Sequence, residues 1–198
     1  MNIIFDFGRV VFTWDPKPFV EKYFQDPETR LMINCEIFDH PDWLEIDRGT
    51  LTLEQLAVRA AKRTQISSDC LLKMLYNVPD ILQPIPETVL LLGRLKKRQH
   101  TLYALSNMGE YSMTKLEKIN PFLEIFDGMV ISSEIKLVKP DPAIFHHLLH
   151  KFGIKAQESV FIDDHAPNIH TAASLGFHTI HFTTPRACEL QLIDLGCL

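Results

Sequence analysis

The sequence predicts an α/β protein, built as a three-layer, doubly wound parallel sheet with an inserted α-helical cap. From residue 83 onward, short apolar runs alternate with amphipathic helical patterns, which is typical of βαβ units with right-handed crossovers. The first apolar run is separated from the others by residues 15–82, which show helical patterns and no strand. We therefore expect a core of residues 1–14 and 83–198 and a helical cap of residues 15–82.

The predicted strands are nearly continuous apolar runs, as expected for strands that are buried on both faces of a parallel sheet. They cover residues 2–5, 101–105, 128–132, 159–162 and 178–182. Proline and glycine mark the helices between them. Pro86 begins one helix, Asp141-Pro142 caps and begins another, and Gly153 and Gly176 close two.

The cap region has the local signals of helices. Thr52 and Gln55 have capping-box spacing, and the apolar residues that follow recur at helical spacing. Residues 69–76 form a second amphipathic pattern. The block also carries several polar or aromatic side chains, namely His40, Asp42, Trp43, Glu45, Asp47 and Arg48. For each of these we expect an ordinary place in a small helical subdomain.

Composition argues against several classes of protein. The net charge is −5 and the basic residues are scattered, so we expect no nucleic-acid partner. No apolar run reaches about 18 residues, so we expect no membrane span, and the early first strand leaves no signal peptide. The four cysteines lack a C-x-x-C pair, which favours free thiols in a cytoplasmic protein. We expect a monomer or homodimer.

Polar side chains follow three of the predicted strands, and a nearby loop adds a lysine. They are Asp6, Ser106, Asn107, Asp163, Asp164 and Lys139. Because the carboxyl ends of parallel strands meet at one edge, these side chains are expected in one cleft. Two like charges about 4 Å apart repel by roughly 4 kcal/mol at an effective dielectric constant near 20. A divalent cation relieves such repulsion, and an all-oxygen site favours Mg²⁺ together with phosphate oxygens.

Four motifs occur in order along the chain: Phe5-Asp6-Phe7-Gly8, Leu105-Ser106-Asn107, Val138-Lys139-Pro140-Asp141, and Phe161-Ile162-Asp163-Asp164 with Asn168. With them the chain resembles the haloacid dehalogenase-like (HAD) superfamily of hydrolases, whose core is Rossmann-like. Residues 48–52 resemble a segment of the small helical cap of that family. A glycine two residues after the first aspartate resembles the branch of α-glucose-1-phosphate phosphatases and epoxide hydrolase N-terminal domains.

The resemblance implies a nucleophile and a metal site. Asp6 would attack phosphorus and form an aspartyl-phosphate. Mg²⁺ would be held by the Asp6 carboxylate, the Gly8 carbonyl and the Asp164 carboxylate. Asp163 would support the metal shell through water or pair with Lys139.

The resemblance also implies a phosphate site. Ser106 and Asn107 would donate hydrogen bonds to the transferring phosphoryl group, and Lys139 would neutralise its charge. Arg9 either reaches the substrate or only lines the loop. The implied activity is that of a Mg²⁺-dependent phosphatase acting on a small-molecule phosphate ester, such as a sugar phosphate.

Gly8 departs from the pattern of most phosphatases in the superfamily. They carry a second aspartate there, which protonates the leaving oxygen, and such assistance gives about 10²–10⁴-fold in rate. One interpretation is a phosphatase with an easily displaced leaving group or a substitute acid, taken from His165, Asp15 or the cap.

Two other interpretations stay open: a 2-haloacid dehalogenase, and a binding protein that keeps the scaffold without catalysis. Dehalogenases need no metal, so the intact Asp163-Asp164 pair argues against the first of these. The second is argued against by four intact residues, Asp6, Ser106, Lys139 and Asp164.

Overall fold

The computed structural model describes residues 1–198 and contains one sheet of five parallel strands. In chain order the strands are β1 (Asn2–Phe5), β2 (Thr101–Ser106), β3 (Gly128–Ile131), β4 (Ser159–Asp163) and β5 (His178–His181). Their spatial order is β3-β2-β1-β4-β5, so β1 is the central strand. The predicted doubly wound sheet is confirmed, and the carboxyl ends of β1, β2 and β4 lie side by side.

Eleven α-helices accompany the strands. They are α1 (Pro16–Glu21), α2 (Pro27–Ile33), α3 (Pro41–Arg48), α4 (Leu53–Thr64), α5 (Ser68–Tyr76), α6 (Pro86–Lys97), α7 (Glu110–Ile119), α8 (Ser132–Ile135), α9 (Pro142–Phe152), α10 (Ala166–Ser174) and α11 (Pro185–Asp194). None of these helices combines the length and the apolar character that crossing a membrane requires.

Short-range signals in the sequence set several of these boundaries. Thr52 and Gln55 form the predicted capping box, in which the Thr52 hydroxyl accepts a hydrogen bond from the Gln55 amide at 3.3 Å. The Asp141 carboxylate caps α9 by accepting a hydrogen bond from the Ala143 amide at 2.9 Å. The third strand ends one residue earlier than predicted, because Ser132 begins the short helix α8.

The sheet separates two apolar layers, since successive residues of a strand point to opposite faces. Ile3 and Phe5 pack on one face with residues of α6, α7 and α11. Ile4 packs on the other face with residues of α9 and α10. All three side chains are fully buried, so packing on both faces of the sheet fixes the position of β1 and of its carboxyl end.

A third apolar cluster is built entirely from residues 19–78, in α1 to α5 and the turns between them. The chain enters and leaves this helical block at neighbouring points. The Thr13 amide donates to the Gln83 carbonyl at 2.8 Å, and the Ile85 amide donates to the Val11 carbonyl at 2.8 Å. These two bonds hold both connections beside the loop that follows β1.

The helical block contacts the core through α3 and the residues that follow it. A Cβ atom on Gly109 would lie 2.8 Å from Ile46 Cγ2, so only glycine allows this approach. Gly49 has φ +72°, and a Cβ there would lie 2.6 Å from a carbonyl oxygen of α8. The Ser132 hydroxyl donates to the Asp47 carbonyl. Three contacts therefore hold the backbone around residue 47 against the core.

Candidate active site

The site is built around Asp6, the first residue after β1. Its amide donates to the Ile162 carbonyl of β4 at 2.9 Å, which extends the sheet pairing by one residue. The following loop turns back sharply, since the Val11 and Phe12 amides both donate to the Phe7 carbonyl. The Asp6 side chain is only 11% exposed and faces the cavity below the helical block.

Lys139 lies between two of the carboxylates. Its Nζ is 2.8 Å from Asp6 Oδ1 and 2.7 Å from Asp163 Oδ2, and its side chain is 1% exposed. Burial lowers the pKa of Lys139, but the attraction of Asp6 and Asp163 outweighs it, so the pKa is raised overall. The ammonium therefore stays charged at neutral pH, at a fixed position beside Asp6.

Asp163 is fully engaged by protein groups. Its Oδ1 accepts from the His165 amide at 2.8 Å, and Asn168 Nδ2 lies 3.0 Å from both carboxylate oxygens. With Lys139 on Oδ2, neither oxygen is free, and the side chain is 0% exposed. Asp163 thus positions Lys139 and the start of α10.

Asp164 is the open carboxylate of the cluster. Its side chain is 24% exposed, and Arg9 Nη1 lies 3.8 Å from its Oδ2. Burial and the neighbouring Asp163 raise its pKa. Arg9 itself is 60% exposed, adopts the left-handed φ of +57°, and donates from Nε to the Trp14 carbonyl at 3.2 Å. Such a φ is unfavourable for a residue with a side chain.

The site fits a divalent cation with oxygen ligands. One carboxylate oxygen from each of Asp6, Asp163 and Asp164 lies within 4.8 Å of the others. Burial raises the pKa of Asp6 to about 7, because the attraction of Lys139 only partly offsets it and the two acidic neighbours add to it. In addition, Asn168 Oδ1 is a buried acceptor with no partner. A hydrated cation would offset the negative charge of these carboxylates, and its water would be a hydrogen-bond donor for Asn168 Oδ1.

Asn107 and Ser106 end β2 next to the lysine. The Asn107 side chain and the Lys139 backbone bind each other reciprocally, with Nδ2 donating to the carbonyl at 3.0 Å and Oδ1 accepting from the amide at 2.8 Å. Asn107 therefore fixes the lysine loop and also lines the cavity. Ser106 is 1% exposed, and its hydroxyl lies 3.5 Å from the Asn107 carbonyl.

A cavity of about 490 Å³ separates the site from the helical block. Among the candidate substitute acids, His165 lines this cavity, whereas Asp15 instead caps α1. Asp47 also lines it, although we expected an ordinary place in a helical subdomain. Burial, followed by the charge of Asp6, raises the pKa of its carboxyl group to about 7, and the Gly109 backbone and Lys139 only partly offset this rise.

Asp47 was missed because no local pattern separates it from the other acidic residues of the cap. The one usable signal is its place directly before Arg48-Gly49, the start of the segment that resembles the family's cap. The other acidic residues named above for the cap region, Asp42 and Glu45, have structural roles. Asp42, for example, is buried in ion pairs with Arg59 and Arg63, each at 2.9 Å.

In a doubly wound sheet ligands bind at the carboxyl edge, where this chain has a buried lysine between two carboxylates. The particular family follows from comparison with family models, of which the haloacid dehalogenase-like hydrolase model matches residues 13–176. The chain belongs to this family. The match begins after Gly8, so the assignment does not depend on the unusual first motif.

Two curated relatives are similar along most of their length. Sesquiterpene phosphatase astK of Aspergillus oryzae is 26% identical over 195 residues, covering 98% of this chain and 96% of the relative. D-ribitol-5-phosphate phosphatase of Bacteroides thetaiotaomicron is 26% identical over 201 residues, covering 90% and 89%. A HAD family enzyme from the same bacterium, crystallised with magnesium and inorganic phosphate, superposes with a TM-score of 0.71 at 23% identity over 92% of this chain and 93% of its own.

Proposed function

We propose that the protein is a Mg²⁺-dependent phosphatase that hydrolyses a small phosphorylated metabolite through an aspartyl-phosphate on Asp6. The observation that carries this proposal is the buried Lys139 ammonium within 2.8 Å of Asp6, in a cluster of three carboxylates that opens on a cavity. The names of two relatives matched along most of their length support phosphate chemistry. The fold neighbour crystallised with magnesium and phosphate supports the choice of metal.

The residues of the site have two roles, nucleophilic attack and charge neutralisation. Asp6 forms a bond to phosphorus while the bond from phosphorus to the ester oxygen breaks, and the alkoxide leaves with the electron pair and takes a proton from water. Lys139, held by Asp163, stabilises the negative charge on the phosphoryl oxygens. Water then hydrolyses the aspartyl-phosphate and restores Asp6.

Three groups would hold the metal: the carboxylates of Asp6 and Asp164 and the carbonyl of Gly8, which lines the same cavity. When bound, Mg²⁺ would supply positive charge to the phosphoryl oxygens. Asp163 would act only indirectly, because both of its oxygens are already occupied.

The dehalogenase interpretation has weaker support. The relative named (S)-2-haloacid dehalogenase 1 matches only 99 residues, half of this chain. By their names, one phosphatase relative acts on the phosphate of a sesquiterpene and the other on the phosphate of ribitol, which are two chemically different alcohols. They therefore support the reaction and leave the alcohol undetermined.

The test is a panel of phosphate monoesters assayed for released phosphate with Mg²⁺ and with EDTA. We expect turnover only with Mg²⁺, and its loss in Asp6→Asn. Asp15→Asn is the matched control, because Asp15 caps α1 outside the cavity and asparagine is an equally good cap. Turnover that persists in EDTA would refute the metal requirement, and chloride release from 2-haloacids without phosphate release would favour a dehalogenase.

A further inference from the structure

The cavity has two chemically different ends. Next to Asp6 and Lys139 its lining is polar and charged, as described above. Nine of the 21 lining residues are hydrophobic, and most of these come from the helical block or its connections. They include Trp14, Trp43, Leu44, Leu53, Leu75 and Val78. A phosphate ester with its phosphorus at Asp6 therefore places its alcohol group against an apolar wall.

The aromatic part of this wall is well ordered by packing. The ring centroids of Trp43 lie 5.7 Å from those of Trp14 and 4.9 Å from those of Phe38. The Trp14 carbonyl is also bound by the Arg9 side chain, which lies beside Asp164. The apolar wall thus begins directly next to the phosphate end of the cavity.

Leu44 gives a second, separate indication. It is 40% exposed, and of the ten large apolar side chains that are exposed it is the one that lines the cavity. Exposed apolar surface inside a cleft is what a bound apolar group covers. The same helix, α3, holds Asp47 against the core, so the position of Leu44 is fixed as well.

The apolar end offers few partners for hydroxyl groups. Among its side chains only Asp47, Ser112 and the indole N–H groups of Trp14 and Trp43 can form hydrogen bonds. Each hydroxyl of a polyol that enters this end without a partner loses its hydrogen bonds to water. Such a loss typically lowers affinity about tenfold or more.

We infer that the substrate is the monophosphate of an apolar alcohol, whose alkyl, prenyl or aryl group fills the end of the cavity lined by Trp43 and Leu44. This inference rests on the proposed phosphatase function and narrows it. It also departs from the sugar phosphate suggested by the sequence.

Two primary alkyl esters of similar intrinsic reactivity test the inference: hexyl phosphate and ribitol 5-phosphate. We expect kcat/KM to be about 10²-fold higher for hexyl phosphate, the size of effect that a few methylene groups give in an apolar pocket. Equal or better hydrolysis of ribitol 5-phosphate would overturn the inference and leave the phosphatase proposal intact.

A binding measurement tests the same point without turnover. Titration calorimetry with Mg²⁺ compares hexylphosphonate and methylphosphonate, neither of which can be hydrolysed. Full burial gives roughly fourfold in affinity for each methylene, so partial burial of the chain predicts about 10²-fold tighter binding of the hexyl compound. Equal affinities would overturn the inference whether or not any ester is hydrolysed.

Two matched variants test whether the preference for hexyl phosphate depends on the wall that contains Leu44. Leu44→Asn is expected to reduce the preference for hexyl over ribitol phosphate about tenfold, because it places an amide in the apolar wall. Leu31→Asn makes the same change at a side chain that is 67% exposed and outside the cavity, and should leave the preference unchanged. A preference that is unaffected by Leu44→Asn would contradict the assignment of this wall.

Discussion

Replacing Gly8 by aspartate tests how the missing acid limits this enzyme. A Cβ atom at Gly8 would meet no other atom within 4 Å, and the backbone there does not have a positive φ. The residue lines the cavity next to Asp6. An aspartate side chain is therefore expected to fit without moving the loop and to reach the space where the leaving oxygen lies.

The magnitude is set by two opposing effects. General acid assistance is worth about 10²–10⁴-fold in rate. Against it, a new carboxylate about 6 Å from Asp6 repels it by roughly 3 kcal/mol at an effective dielectric constant near 20. The repulsion also raises the pKa of the new side chain, so this side chain keeps its proton. Protonation removes part of the repulsion and provides the proton that an acid must donate. We therefore expect Gly8→Asp to accelerate alkyl phosphate hydrolysis about 10²-fold.

The assay is a series of aryl and alkyl phosphates with different leaving-group pKa values. In the unmodified protein, kcat/KM should fall steeply as the leaving-group pKa rises, whereas Gly8→Asp should give a shallower dependence. Gly8→Asn is the control, since asparagine has the same size and cannot donate a proton in this way. Where chemistry is shown to be rate-limiting, a flat dependence in the unmodified protein, with no gain from Gly8→Asp, would show that a cavity residue such as Asp47 or His165 already supplies the proton.

Three further changes have defined outcomes. Lys139→Met should lower kcat/KM by about 10²–10³-fold and destabilise the metal-free protein by about 3–5 kcal/mol in urea unfolding, because it leaves buried carboxylates unpaired. Asp47 has a pKa of about 7 when folded against an ordinary 3.8, so it retains a proton on folding and stability falls as pH rises through this range. Asp47→Asn should therefore stabilise the protein in EDTA by about 1–2 kcal/mol at pH 8 and not at pH 4, as thermal unfolding would show; the partial exposure of Asp47 keeps the gain below the full shift. Gly109→Ala should cost about 1–3 kcal/mol and lower kcat/KM, because its Cβ meets Ile46 at 2.8 Å, whereas Gly93→Ala, with open space around it, should be stabilising.

The sheet and its polar edge were predictable because their signals are local. Apolar runs identify strands, and parallel topology alone brings the residue after β1 close to the residues after β2 and β4. Asp6, Asn107 and Asp163 could therefore be grouped without knowledge of any side-chain contact, whereas Lys139 lies in a loop between α8 and α9 and was added from its motif. The same holds for the capping box at Thr52, which depends on a spacing of three residues.

The wall of the cavity could not be predicted in this way. It depends on how α3 meets the core, and that contact joins Ile46 to Gly109 and Asp47 to Ser132, residues far apart in sequence. Nor does a motif show that Asp163 has both oxygens occupied while Asp164 is open. Such differences arise from packing between elements, which a single sequence does not encode in any short pattern.

Charge balance gives a last prediction, which concerns phosphate binding and not the rate of reaction. If fully ionised, the three carboxylates outnumber the one buried ammonium and leave an excess negative charge in the site. Arg9 contributes little to offset it, since its guanidinium is 60% exposed and 3.8 Å from Asp164. A phosphate dianion entering this site meets repulsion of roughly 8 kcal/mol for each uncompensated unit charge about 4 Å away, at an effective dielectric constant near 20.

Removal of Mg²⁺ is therefore expected to weaken the binding of inorganic phosphate at least 10²-fold, and not only to slow catalysis, because a divalent cation offsets repulsion of this size. Titration calorimetry with phosphate, in Mg²⁺ and in EDTA, measures this directly. Asp164→Asn provides the internal check, because loss of one open carboxylate should weaken the Mg²⁺ dependence and at the same time improve phosphate binding in EDTA. Equal phosphate affinity with and without Mg²⁺ would mean that the protein neutralises the site by itself, and the argument for a resident cation would fail.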